Sequence, residues 1–134
     1  MTGTIFQQAI NFLHSSEDQH QDHASNDDTV EWNIKNPIYL NGRIELDFVL
    51  TARAPAKKLL GFQSRIAVRT HQNAFLAADS FAHHDAQKIR GGGYLNVKLP
   101  PGRYRGTYLV VAFVELSPTH QVWPMKKGSF DFEV

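Results

Sequence analysis

Gln63, Arg65 and Arg69 stand at even spacing in the run Phe62-Gln63-Ser64-Arg65-Ile66-Ala67-Val68-Arg69. In an extended strand that spacing puts all three on one face. An amide and two guanidiniums so placed present planar groups to paired hydroxyls, and a guanidinium forks onto an acidic or phosphorylated group. Trp123, in Gln121-Val122-Trp123-Pro124-Met125, offers a flat apolar ring for stacking. Planar polar groups beside an aromatic ring are the chemistry of carbohydrate recognition, and these four residues are the expected glycan contacts. The plainer alternative is a solvated sheet face on which the arginines pair with Glu45 and Asp47, each pair contributing ~0–1 kcal/mol. For Trp123 the alternative is a plug between sheets. Trp32, flanked by polar residues, reads as core.

Other chemistries find less support. The chain has seven histidines and no cysteine. His20 and His23 lie among Asp18, Asp22 and Asp27, and His83-His84-Asp85 reads as a loop. Neither set has the spacing of a zinc site, and without cysteine there is no thiolate or disulfide chemistry. Ser80, His83 and Asp85 are close in sequence, but no Gly-x-Ser-x-Gly elbow is present. Asp79, Asp85 and Glu115 are the acids on offer for a glycosidase pair, and nothing selects two of them. The expectation is a chain with no catalytic residues, no metal and no cofactor.

A binding face of this kind must be built by strands. Val30, Trp32 and Ile34 alternate with polar residues, as do Ile44, Leu46, Phe48 and Leu50, then Phe62, Ile66 and Val68, then Leu95, Val97 and Leu99. Ala74–Ala78 reads as a short strand, Tyr104–Glu115 as a long one, Gln121–Pro124 as a short piece, and Phe130, Phe132 and Val134 close the chain. Asn36-Pro37, Asn41-Gly42 and Gly91-Gly92-Gly93 mark breaks and turns. Pro100-Pro101-Gly102 feeds Tyr104 at the start of the long run, the pattern of a tyrosine corner, in which the phenol bonds back to nearby backbone. The fold class expected is all-β: an Ig-like antiparallel β-sandwich of seven or eight strands over residues 29–134.

Two segments precede it. Ile5, Phe6, Ala9, Ile10 and Leu13 recur at helical spacing, which predicts a short amphipathic helix within residues 1–14. Such a helix is marginal alone and needs a partner for its stripe. Residues 15–28, SSEDQHQDHASNDD, have no period and read as a flexible polar linker. The run Leu109-Val110-Val111-Ala112-Phe113 is apolar on both faces, which calls for cover on both. The cover is the sandwich itself, a subunit interface, or the N-terminal helix; a bulge at Gly106 is a further expectation.

The net charge of +1 gives no broad footprint for nucleic acid or an anionic membrane surface. No apolar run is long enough to span a bilayer, and the N-terminus lacks a basic leader, so no membrane insertion and a cytoplasmic location are expected.

The order of motifs resembles a known family. Leu40-Asn41-Gly42 precedes Arg43-Ile44-Glu45-Leu46-Asp47-Phe48-Val49. Ser64-Arg65-Ile66-Ala67-Val68-Arg69-Thr70 follows, then Leu95-Asn96-Val97-Lys98-Leu99-Pro100-Pro101-Gly102-Arg103-Tyr104, and the chain ends Gly128-Ser129-Phe130-Asp131-Phe132-Glu133-Val134. Over residues 29–134 this is similar to the C-terminal carbohydrate-binding domain of the ATPase subunits of O-antigen ABC exporters, the Wzt type. His71-Gln72-Asn73 stands where that family has an Asp-Gly turn, the Gly91–Gly93 run is not part of its pattern, and no ATP-binding Gly-x-x-x-x-Gly-Lys-[Ser/Thr] loop occurs. The resemblance implies a module that recognises the end of an exported bacterial polysaccharide, as a homodimer. The alternative is an Ig-like interaction or structural module that works through dimer or partner contacts.

Overall fold

The computed structural model describes residues 27–134. The expected helix and nearly all of the expected linker fall outside them. The linker's last two residues, Asp27 and Asp28, do not continue it: they form a 3-10 turn with Thr29.

Nine strands follow: β1 (Val30–Ile34), β2 (Ile38–Leu40), β3 (Arg43–Ala52), β4 (Lys58–Arg69), β5 (Phe75–Ala86), β6 (Lys88–Asn96), β7 (Arg103–Ser117), β8 (His120–Val122) and β9 (Met125–Glu133). All pair antiparallel, in two sheets. In the smaller sheet β3 is central. β6 pairs along one side of it, and β1 and β2 share the other. In the larger sheet the order is β5-β4-β7, and β8 and β9 share the far side of β7. The two interrupted flanks each carry a proline, Pro37 between β1 and β2 and Pro124 between β8 and β9. Proline has no amide hydrogen to give a ladder, so a strand breaks there.

The alternation read from the sequence becomes the core. Ile44, Leu46, Phe48 and Leu50 of β3 face Leu59, Phe62, Ile66 and Val68 of β4 and Val110, Ala112 and Val114 of β7. Phe48 and Phe62 meet edge to face, with ring centres 5.0 Å apart. Tyr104 closes one end. Its hydroxyl donates to the Pro100 carbonyl at 2.8 Å, the expected corner. Its ring stacks between His71 (4.3 Å) and Phe132 (5.6 Å), and Phe132 stacks in turn on Tyr39 (5.4 Å).

Four local expectations are revised. Gly91–Gly93 do not end a strand but lie inside β6, and β5 runs on through His83-His84-Asp85, which read as a loop. The short strand β2 was hidden between two turn signals. No irregularity falls at Gly106; the register shifts in β4, between Leu59 and Gly61 against both neighbours, and in β7, between Glu115 and Ser117 against β8. The extra residue in β4 brings Leu60 to the outer face, against the row Leu109, Val111 and Phe113.

Burial holds the Tyr108 phenol above its ordinary ionisation range. A raised folded value is stabilising below the unfolded one, and that contribution is lost as pH rises through the folded one. In a spectrophotometric titration of the folded protein, one phenol is expected to ionise late. The late phase should vanish in Tyr108→Phe.

Candidate functional site

The larger sheet's outer face carries the arginine row. Gln63 pairs across to Val111 and Phe81, Arg65 to Leu109 and Asp79, and Arg69 to Phe75. Gln63 is buried rather than presented to solvent, between Val111 and Phe81 across the sheet. Arg65 binds Asp79 in a fork, Nε to Oδ1 at 2.5 Å and Nη2 to Oδ2 at 2.7 Å. That bond holds the guanidinium further into its charged range, and burial opposes it. Arg69 is exposed and donates to Asn73 Oδ1 at 2.9 Å. Trp123 is 42% exposed at the β8–β9 break, beside the Phe113 end of β7, while Arg69 lies at the Gly106 end. At about 3.3 Å per residue these are more than ~20 Å apart. The structure therefore places Gln63, Arg65 and Arg69 on one face, as the spacing requires, and leaves Trp123 at the far end of the sheet from Arg69. The Arg65–Asp79 pair is partly exposed, so Asp79→Ala is expected to lower stability by no more than ~1 kcal/mol in a denaturant melt.

A second set of residues meets on the outer face of the smaller sheet. The β3–β6 register sets Arg43 opposite Asn96 and Glu45 opposite Tyr94. Tyr94 is 53% exposed. The Arg43 guanidinium lies over its ring at 4.2 Å, and Arg43 donates to Asn96 Oδ1 (3.3 Å) and Glu45 Oε1 (3.5 Å). A cation over a ring face fixes the ring. Side chains two apart on a strand share a face, and the residue two before Tyr94 is Gly92. Beyond the ring the surface therefore drops into a groove floored by Gly91–Gly93, with Asp47 on one wall and Asp79 and Ser80 on the other.

The glycines are there for close approach. A Cβ at Gly91 would meet the rings of Phe62 (2.6 Å) and Phe48 (2.7 Å), and one at Gly93 would meet Ser80 Oγ at 3.0 Å. Below the floor a hydroxyl chain ties the two sheets. Ser80 donates to the Gly92 carbonyl at 2.8 Å, and its oxygen lies 2.7 Å from Ser64 Oγ. A carbonyl only accepts, so Ser80 spends its single proton there and Ser64 donates to Ser80. Arg65 reaches this groove only through Asp79.

Other candidate constellations are dispersed. Ser80 points at Gly92, the His83 ring stacks toward Phe113 at 6.5 Å, and Asp85 pairs with Lys58 at 2.9 Å, so these three do not form a triad. Among the described residues no group of three or more histidines and acids has the arrangement to hold a metal ion. No helix among them is long and apolar enough to cross a membrane.

No family model matches the chain, and no curated protein matches it. Its fold is similar to that of solved structures. One is a putative late embryogenesis abundant (LEA) protein, with 6% identity and a TM-score of 0.54, covering 98% of this chain and 88% of that one. CsgH of R. palustris is 13% identical with a TM-score of 0.44, covering 73% of this chain and 89% of that one. The DNA glycosylase AlkC of Pseudomonas fluorescens is 21% identical with a TM-score of 0.39, covering 78% of this chain and 30% of that one. The likeness to the LEA protein extends to the fold alone.

Proposed function

We propose that this chain is a non-catalytic carbohydrate-binding module and that the glycan lies in the groove beside Tyr94. The observation that carries the reading is an exposed tyrosine ring, held on one side by Arg43 and bordered by a side-chain-free floor. A pyranose presents a flat C–H face to such a ring and a rim of hydroxyls around it. Asp47, Glu45 and Asn96 supply planar acceptors and donors at that rim. The link to the end of an exported polysaccharide and to a homodimer rests on the resemblance of the motif order to the exporter domains, and the cytoplasmic location on a composition without cysteine.

Tyr94→Ala is expected to weaken glycan binding tenfold or more, measured by titration of a hit from a glycan array. The same substitution should leave the melt within ~0.5 kcal/mol of the parent, as for other exposed positions. Equal affinity in the parent and the variant removes the ring from the site, and an array without hits removes the reading.

The second reading, a protein-interaction module, is favoured by one observation. Leu109, Val111 and Phe113 form an apolar row on the outer face of the larger sheet, where Gln63, Arg65 and Arg69 also stand. A sheet that is apolar on both faces needs cover on both, and a partner protein is one such cover.

A further inference from the structure

The outward row on β7 is as dry as the core. Leu109 and Val111 are each 1% exposed and Phe113 is 6% exposed. Among the described residues only Leu60 and Met125 are hydrophobic neighbours packed on the row. Gln63, Arg65 and Lys127 stand beside the row across the sheet, and the His83 ring stacks toward Phe113. Neighbours set beside a row on the same face leave its outer surface to water, so they do not account for such burial. Gln63, Arg65 and Phe75, all of this face, are each engaged in an interaction beyond the pairings given above. We propose that this face is the docking site of the chain's own segment Ile5–Leu13.

Three properties select that occupant. First, its chemistry fits: Ile5, Phe6, Ala9, Ile10 and Leu13 give one apolar stripe, and residues 1–16 contain no Asp, Glu, Lys or Arg. Arg65 is already forked onto Asp79 and Arg69 stands exposed beyond the end of the row, so an uncharged partner covers the row without stranding a charge. Second, its length fits. From Leu109 to Phe113 the row runs ~13 Å at strand rise. From Ile5 to Leu13 the stripe runs ~12 Å at helical rise. Third, it can reach. The chain enters the sandwich at Thr29, whose carbonyl accepts from Arg53 at 2.9 Å, and Lys57 donates to Glu115 at 2.8 Å in the connection that follows. That is the Phe113 end of β7. The residues between Leu13 and Asp27 span up to ~45 Å when extended, far more than the gap needs.

The consequence is a division of labour between the two outer faces. The segment shields Gln63 and the apolar row, and leaves the Tyr94 groove on the other sheet open. It also removes the apolar row as a ready contact for a second molecule.

The full chain has no cysteine, so a nitroxide can be placed at one introduced site on the polar side of the stripe, Asn11→Cys. The amide signals of Ala67, Leu109 and Val111 are expected to lose most of their intensity, while those of Arg43, Glu45 and Asn96 keep theirs. The pattern should survive tenfold dilution. It should also be missing when spin-labelled chain without isotope is mixed with unlabelled, nitrogen-15-enriched chain. Intact signals across the larger sheet overturn the proposal. Attenuation in the mixed sample overturns it too, because the occupant is then a second copy. As an independent measurement, the full-chain double variant Phe6→Glu/Ile10→Glu should bind an apolar-surface dye several-fold more than the parent. Unchanged dye binding overturns the proposal.

Discussion

Tyr104→Ala is expected to destabilise the sandwich by ~3–5 kcal/mol, the range for truncating a large buried aromatic. The ring is the middle plate of a stack that runs from His71 through Phe132 to Tyr39, so its loss opens a gap between the two sheets rather than a dent in one. The hydroxyl contributes separately. It satisfies the Pro100 carbonyl just ahead of β7, and Tyr104→Phe, which keeps the plate and removes only that bond, should cost ~1 kcal/mol. Urea unfolding of the two variants reads both numbers. Equal losses would mean that the hydrogen bond, not the ring, carries the corner, and no loss in either would mean that the end of the sandwich is closed by something else.

The second large effect is expected at Gly61. Its φ of +142° is one that side-chain-bearing residues rarely adopt, and a Cβ there would sit 2.1 Å from the Ala82 carbonyl oxygen. Neither backbone can retreat, because β4 is paired on both sides at this point. Gly61→Ala is therefore expected to cost ~3 kcal/mol or more, strain and overpacking together. Gly42 is the internal comparison. It also has positive φ, +75°, but its added Cβ would find nothing nearer than 3.6 Å, so Gly42→Ala should cost ~1–2 kcal/mol. Chemical denaturation of the pair tests the ranking. If Gly42→Ala is the worse of the two, the irregularity in β4 is more pliable than its geometry implies.

How much of this was legible in the chain depends on whether the cause was local. Strand alternation and the Pro-Gly-x-Tyr signal are local, and β3, β4, β7 and Tyr104 lie where they point. Gly91–Gly93 read as a turn because glycine usually marks one. Here the cause is the rings of Phe48 and Phe62 and the hydroxyl of Ser80, all distant in sequence. His83-His84-Asp85 read as a loop because polarity on both faces hides an edge strand. The arginine row was legible as a row, but not that Gln63 would stand opposite Val111, in an apolar row, and lie buried. The Tyr94 groove could not be found by spacing: Arg43 and Tyr94 are brought together only by the β3–β6 register, and strand pairing at that separation leaves no mark in a single sequence.

The two prolines that interrupt the flanks have one more effect. A sheet flank with every amide and carbonyl free is a template on which another chain can grow, the first step toward a fibril. In this molecule β1 and β2 together, and β8 and β9 together, offer such a template with a break in it, each flank cut by a residue with no hydrogen to donate. Pro37 and Pro124 therefore do more than bend the chain: each takes one donor out of a flank that would otherwise offer a second copy an unbroken ladder.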